Sequence, residues 1–241
     1  TGGLLLEHDL LVRRDAFQSE IAQQRAFWES IGMEAPAAET LKISLFAYET
    51  PTLFGLLDAL SGGTQLVLCL VPEGRILPQI GQYFGAAVPR IGDEYARGNL
   101  RVRVLSFMDQ EHYDELLWSC DVNFVRGEDS FVRALWAGKP FVWQIYPQQD
   151  KVHIQKLKAF LALYDKHLTQ SARHAVQGWW EAWNIEDRTE QAWPAFLAAS
   201  GELERHTQHW TQQLAENNLA LNLLDFYKEI GRMRALENEG Q

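Results

Sequence analysis

The feature that most constrains this chain is an alternation. Short runs rich in aliphatic and β-branched residues are each followed by a stretch of helical periodicity long enough to cross a sheet. The β-rich runs are Lys42 to Tyr48, Gln65 to Val71, Leu100 to Phe107, Val122 to Val125 and Phe141 to Tyr146. Between them lie helical stretches at Thr52 to Leu60, near Arg75 to Phe84, around Tyr113 to Trp118 and from Asp129 to Ala137. Crossovers of that length join parallel strands, and a parallel sheet must be covered on both faces. The expected fold class is therefore α/β, a Rossmann-like parallel sheet with flanking helices.

The flanks of this unit read as helix. Phe17, Ile21, Phe27 and Ile31 recur near helical spacing from Arg14 to Ile31, before Gly32 and Pro36 close the segment. Beyond Asp150, the stretches Lys151 to Tyr164, Ser171 to Trp183 and Thr207 to Ile230 are also expected to be helical. Trp179, Trp180, Trp183, Trp193 and Trp210 fall in this last third, at spacings that indicate core packing rather than ligand stacking. The chain begins at Thr1, Gly2 and Gly3 rather than Met, and it reads as a piece of a longer protein. Its start therefore says little about targeting.

Composition narrows the class. With 22 Lys+Arg against 32 Asp+Glu the formal net charge is −10, and the basic residues are scattered, which argues against a nucleic-acid partner. No apolar run approaches the ~18 residues of a membrane helix, so no membrane partner is expected. Cys69 and Cys120 sit in or beside apolar runs, as buried reduced thiols of a cytoplasmic protein would. The sequence lacks Gly-x-Gly-x-x-Gly after a strand, the P-loop, His-Glu-x-x-His and the Gly-x-Ser-x-Gly elbow. Dinucleotide dehydrogenases, P-loop enzymes, zinc proteases and serine hydrolases lose support accordingly. His206 and His209 have no third ligand nearby and read as a solvated face.

Ligands of open α/β sheets bind beyond the carboxyl ends of the strands. The first strand ends in Phe46 and Tyr48, and the third in Phe107, followed by Asp109 and Gln110. The fourth runs into Arg126-Gly127-Glu128-Asp129-Ser130, and the fifth into Tyr146-Pro147-Gln148-Gln149-Asp150. A pyrimidine offers a flat face for Phe107 to stack on and an edge for the Gln110 amide. Arg126 precedes a helix whose first turn holds Asp129 and Ser130, and free helix amides with an arginine fork suit a diphosphate. The plainer alternative for Glu128-Asp129-Ser130 is helix capping, since carboxylates aimed at phosphates would repel them. Absence of an Asp-x-Asp pair fits a site in which no metal ion is expected, with Arg and helix amides balancing a leaving diphosphate.

The stretch from Asp121 to Gln149, with Asn123, the Arg126-Gly127-Glu128-Asp129-Ser130 run, Arg133, Gly138-Lys139-Pro140 and Tyr146-Pro147-Gln148, resembles the bacterial elongation factor P arginine rhamnosyltransferases. Phe107-Met108-Asp109-Gln110 and the helix from Asn217 to Phe226 extend the resemblance over nearly the whole chain. It implies a two-domain GT-B glycosyltransferase, of which this chain is the carboxyl-terminal, donor-binding half. It further implies inverting, metal-free transfer of rhamnose from dTDP-β-L-rhamnose to an arginine of elongation factor P, with no cofactor. By position, Phe46, Tyr48, Phe107, Gln110 and Tyr113 would surround the thymidine, and Arg126, Asp129 and Ser130 would hold diphosphate and ribose. Glu128 matches a residue needed for activity, orienting the sugar or approaching the acceptor guanidinium.

The resemblance divides the chain into an interdomain segment and helix (1–35), the nucleotide-sugar domain (36–206) and a carboxyl-terminal helix (207–241) returning toward the amino-terminal domain. It implies a cytoplasmic monomer. The family's catalytic aspartates belong to that amino-terminal domain, so this chain is expected to bind donor without transferring it. Two other readings stay open: a nucleotide-sugar enzyme with a different donor or acceptor, and a binding module without catalysis.

Overall fold

The computed structural model describes residues 4–7, 9–148, 152–185 and 189–239. Two helices, α1 (Leu10–Ser19) and α2 (Ile21–Ser30), lead into a repeating strand–helix unit. It runs β1 (Leu41–Leu45), α3 (Leu53–Gly62), β2 (Val67–Pro72), α4 (Leu77–Phe84), β3 (Glu94–Arg97), β4 (Leu100–Leu105), α5 (Gln110–Ser119), β5 (Val122–Arg126), α6 (Asp129–Ala137) and β6 (Phe141–Gln144). Helices α7 (Val152–Tyr164), α8 (Gln170–Asn184), α9 (Thr189–Ala198), α10 (Ser200–Ala215) and α11 (Leu219–Glu239) complete the chain.

The six-stranded sheet has the order β3-β4-β2-β1-β5-β6. All neighbours are parallel except β3, which pairs antiparallel with β4 at the edge. The expected α/β fold with a parallel sheet is what the structure shows. Every residue of β2 is buried, as a central parallel strand requires. Along β5 the side chains alternate between two helical layers. Phe124 packs 4.9 Å from the Trp183 ring, whereas Asn123 donates its amide to the Leu117 carbonyl of α5 at 2.9 Å. The Asn123 Oδ1 in turn accepts from the Ser44 hydroxyl at 2.7 Å, so a buried polar pair joins β1 to β5 with each partner satisfied.

Trp179, Trp180 and Trp183 are fully buried, and Trp193 nearly so, around Phe124, Phe141 and Phe160. Trp210 packs on Phe160 and Tyr164. The tryptophans are core, as their spacing indicated. Cys69 and Cys120 are buried free thiols, and burial pushes Cys69 up to about 12.

Several expected elements differ. The helix expected from Arg14 to Ile31 is two helices, broken at Glu20, whose backbone is extended (φ −106°, ψ 105°). The break turns α2 back so that Phe27 meets Phe17 edge-on at 6.3 Å, with Phe17 also on Trp118. The helix expected from Thr207 to Ile230 is likewise two, α10 and α11, and Thr207 lies buried inside α10. His206 is not on a solvated face. It is half-buried with Nε2 2.6 Å from the Tyr164 carbonyl, and burial lowers its pKa. His209 is exposed.

Candidate functional site

After β1 the chain moves to β2 on one side of the sheet, and β5 lies on the other side of β1. The carboxyl ends of β1 and β5 therefore flank a topological switch point, where α/β sheets open a crevice. A cleft of about 500 Å³ lies there. Phe46 and Tyr48 enter it from the loop after β1, Phe107 from the loop after β4, and Gln110 and Tyr113 from α5. Arg126 ends β5, and Glu128, Asp129 and Ser130 follow at the start of α6. The structure brings all of these sequence-selected residues to one cavity.

The polar end is built around Arg126. Its guanidinium carbon lies 4.3 Å from the Phe46 ring centre and 4.5 Å from that of Tyr48, held by cation–π attraction, and its Nε is buried without a hydrogen-bond partner. Phe46 rests edge-on against Tyr113 at 5.8 Å and Tyr48 against Tyr146 at 5.5 Å. Gln144 fixes Tyr48 by accepting its backbone N–H at 2.7 Å. The turn from β5 into α6 depends on Gly127, whose φ of +63° disfavours a side chain and whose added Cβ would lie 3.1 Å from the Tyr48 hydroxyl oxygen.

Helix α6 starts without a side-chain cap, because Glu128 at the N-cap position makes no capping hydrogen bond. The side-chain capping that stood as the alternative for Glu128-Asp129-Ser130 is thus not made. Ser130 instead turns back to Arg126, accepting its backbone N–H at 3.1 Å and donating to its carbonyl oxygen. Glu128 and Asp129 are solvent-exposed at the cleft, Asp129 in the first turn of α6, so the free backbone amides of that turn share the cleft with two carboxylates as well as with the arginine.

The other end suits a flat ring. Phe107 is 77% exposed, an uncommon state for an aromatic side chain that has a cleft beside it. Asp109 caps α5, its carboxylate accepting the His112 backbone N–H at 2.9 Å, and this orients the first turn carrying Gln110. The same cap holds the Asp109 carboxyl below its usual range, and the Asp109 carboxylate raises His112. The Tyr113 hydroxyl is buried without a hydrogen-bond partner, and burial raises its pKa. An orphaned buried hydroxyl at a cleft wall is a group that a bound ligand can satisfy.

A family model described as elongation factor P rhamnosyltransferase EarP matches residues 1–228. The chain belongs to this family. It is 47% identical over 230 residues to a protein-arginine rhamnosyltransferase of Pseudomonas putida, covering 95% of this chain and 60% of the relative. A protein-arginine rhamnosyltransferase of Pseudomonas aeruginosa is 44% identical, with 95% and 61% covered. A solved structure described as the structural basis for EarP-mediated arginine glycosylation of translation elongation factor EF-P superposes with a TM-score of 0.87 at 44% identity, covering 94% of this chain and 73% of that one. The chain spans about 60% of the length of these curated relatives.

The EarP-family cleft also contains residues the sequence reading passed over. Pro72 and Glu73 line it from the end of β2, a strand end that the strand-end rule would have supplied. Arg133 lines it from the second turn of α6, where its spacing reads only as helix. Conversely, Tyr146 and Gln148 line a separate hollow of about 260 Å³ that shares Glu128 with the cleft. Gln149 and Asp150 lie outside the described residues. Among the described residues no group of three His, Cys, Asp or Glu is placed to hold a metal ion, and no helix is long and apolar enough to cross a membrane.

Proposed function

We propose that this chain is the donor-binding half of a GT-B protein-arginine rhamnosyltransferase, holding dTDP-β-L-rhamnose for transfer to an arginine of elongation factor P. One observation carries the reading. Arg126, held between Phe46 and Tyr48, and the uncapped amino end of α6 share a cleft with Phe107 and Gln110, so it offers a cation at one end and a ring-stacking face at the other. Membership of the EarP family and relatives named protein-arginine rhamnosyltransferase support the chemistry.

In this reading Phe107 stacks on the thymine and Gln110 meets its edge, while Tyr113 gives its hydroxyl to the ligand. Arg126 and the α6 amides receive the diphosphate and stabilise the charge that develops on it as it leaves. Ser130 and Asp129 complete the hold on diphosphate and ribose, the Asp129 carboxylate accepting from the sugar hydroxyl rather than facing the phosphates. That supply of positive charge serves the role a metal ion fills in other sugar-nucleotide enzymes, so the reaction is metal-independent. A guanidinium nitrogen attacks the anomeric carbon, the bond from that carbon to the dTDP oxygen breaks with inversion, and dTDP leaves with the electron pair. The guanidinium proton, whose pKa exceeds ~12, must pass to a carboxylate as the new bond forms. Glu128, exposed at the cleft edge, orients the sugar or faces that guanidinium. The remaining carboxylates come from the portion of the relatives that this chain does not span.

Calorimetry with dTDP and UDP tests the assignment. Preference for dTDP is expected, and equal binding of the two would overturn a rhamnose donor carried on thymidine.

A further inference from the structure

We infer that the buried Asp114–Arg133 ion pair is a spacer that sets the distance between the base-binding and diphosphate-binding ends of the cleft, a role that rests on the nucleotide-sugar reading above. The two ends are carried by different helices. Helix α5 brings Gln110 and Tyr113 to the base end, and Asp114 follows Tyr113 directly. Helix α6 brings Asp129 and Ser130 to the phosphate end, and Arg133 stands one turn further along. Arg133 Nη1 donates to Asp114 Oδ2 at 3.0 Å, and among the described residues this is the one ion pair joining α5 to α6. Its side chains are 9% and 2% exposed, so neither is a mobile surface group.

Glu7, in the segment before α1, closes the arrangement from outside. It accepts from Arg133 Nη1 at 3.1 Å and from Nη2 at 3.3 Å, leaving the guanidinium gripped by two carboxylates from two directions. With its charge answered in this way, Arg133 is not a free phosphate ligand like Arg126. Stability does not explain the pair well. Burial pushes the Asp114 carboxyl up to about 6 in spite of the neighbouring Arg133 and Arg13 guanidiniums, so keeping it ionised costs the fold something. Buried pairs of this kind are weak contributors to stability, and their best-attested use is to fix one geometry.

Geometry matters here because the ligand has two heads on one short tether. Base and diphosphate are joined through the ribose, so their joint affinity exceeds that of either head only if the two subsites stand at the tether's length. Arg133 is therefore a positioning residue, and the signature of its loss is specific. In Arg133→Met the affinity for dTDP should fall about tenfold or more, while thymidine alone and pyrophosphate alone should each change less than about twofold. Titrations of the three ligands against the chain, with tryptophan-monitored melts to verify folding, make the comparison. If Arg133→Met does not fold, Asp114→Leu, which removes the other partner of the pair at similar volume, is read in the same way. Unchanged dTDP affinity overturns the inference, and so does an equal fall for pyrophosphate alone, which would make Arg133 a direct phosphate ligand. Failure of the unsubstituted chain to prefer dTDP over UDP would instead strike the reading of the site itself.

Discussion

Single side chains at this cleft have separable jobs. Phe107 supplies an exposed ring and little to the core, so Phe107→Ala should leave the melting temperature nearly unchanged and weaken dTDP binding by about 1–3 kcal/mol in calorimetry. Gly127→Ala should lower stability and affinity together. Its left-handed backbone makes a side chain cost about 1–2 kcal/mol of stability in a denaturant titration. Its new methyl also presses on the Tyr48 hydroxyl, so dTDP affinity should fall with it. In a full-length EarP-family enzyme, the counterpart of Glu128→Gln should retain dTDP affinity and lose turnover by about 10²–10⁴-fold, the range of a removed acid–base group. Phe46, Tyr48, Phe107, Gln110, Arg126, Asp129 and Ser130 were legible because a rule of α/β sheets points at strand ends. Tyr113, inside α5, was reached only through the family resemblance, and the strand end at Tyr146 led to a neighbouring hollow. Arg133 was not legible for the opposite reason. It lies inside a helix, where an arginine among apolar residues looks like an ordinary solvated position until α5 is seen against it.

At the level of elements, the misreadings have a common physical origin. Helical periodicity continues across a one-residue break, so Phe17 and Phe27 keep their pattern although Glu20 interrupts the helix between them. The edge strand β3 is Glu94-Tyr95-Ala96-Arg97, mostly exposed, and it carries no apolar run to betray it. The parallel strands were legible for two reasons: β2 is a continuous apolar run, and β1 and β4 alternate apolar with polar residues. Each overlaps an expected run, although the runs to Tyr48 and Phe107 carry on past the strand ends into the loops. Helix α5 carries a prediction of its own through Asp114. The folded chain holds this carboxyl at about 6 against an ordinary 3.8, so it takes up a proton more readily than the unfolded chain does. That contribution to stability is fully present below about pH 3.8 and is lost as the pH rises through about 6. Its size is at most about 3 kcal/mol. Asp114→Asn should flatten the stability-versus-pH curve across that window, as measured by urea unfolding at stepped pH.

For the molecule as a whole, the proposal separates binding from chemistry. The 241-residue chain incubated with dTDP-β-L-rhamnose and elongation factor P should bind the nucleotide and add no sugar to the protein, as read by intact mass. A full-length relative under the same conditions serves as the positive control. Modified elongation factor P from this chain alone would show that the reaction needs nothing beyond it.

The sheet order has a consequence for the folding pathway. Ser44 and Asn123 are bonded neighbours across β1 and β5, yet 79 residues separate them along the backbone. Closing so long a loop is slow and entropically unfavourable compared with zipping up strands that follow one another. A refolding chain can assemble β1, β2 and β4 and still have no place for a nucleotide, because Arg126 arrives only with the long-range closure. Ligand recognition should therefore emerge as the last kinetic phase, making nucleotide capture a stopwatch for completion rather than for collapse.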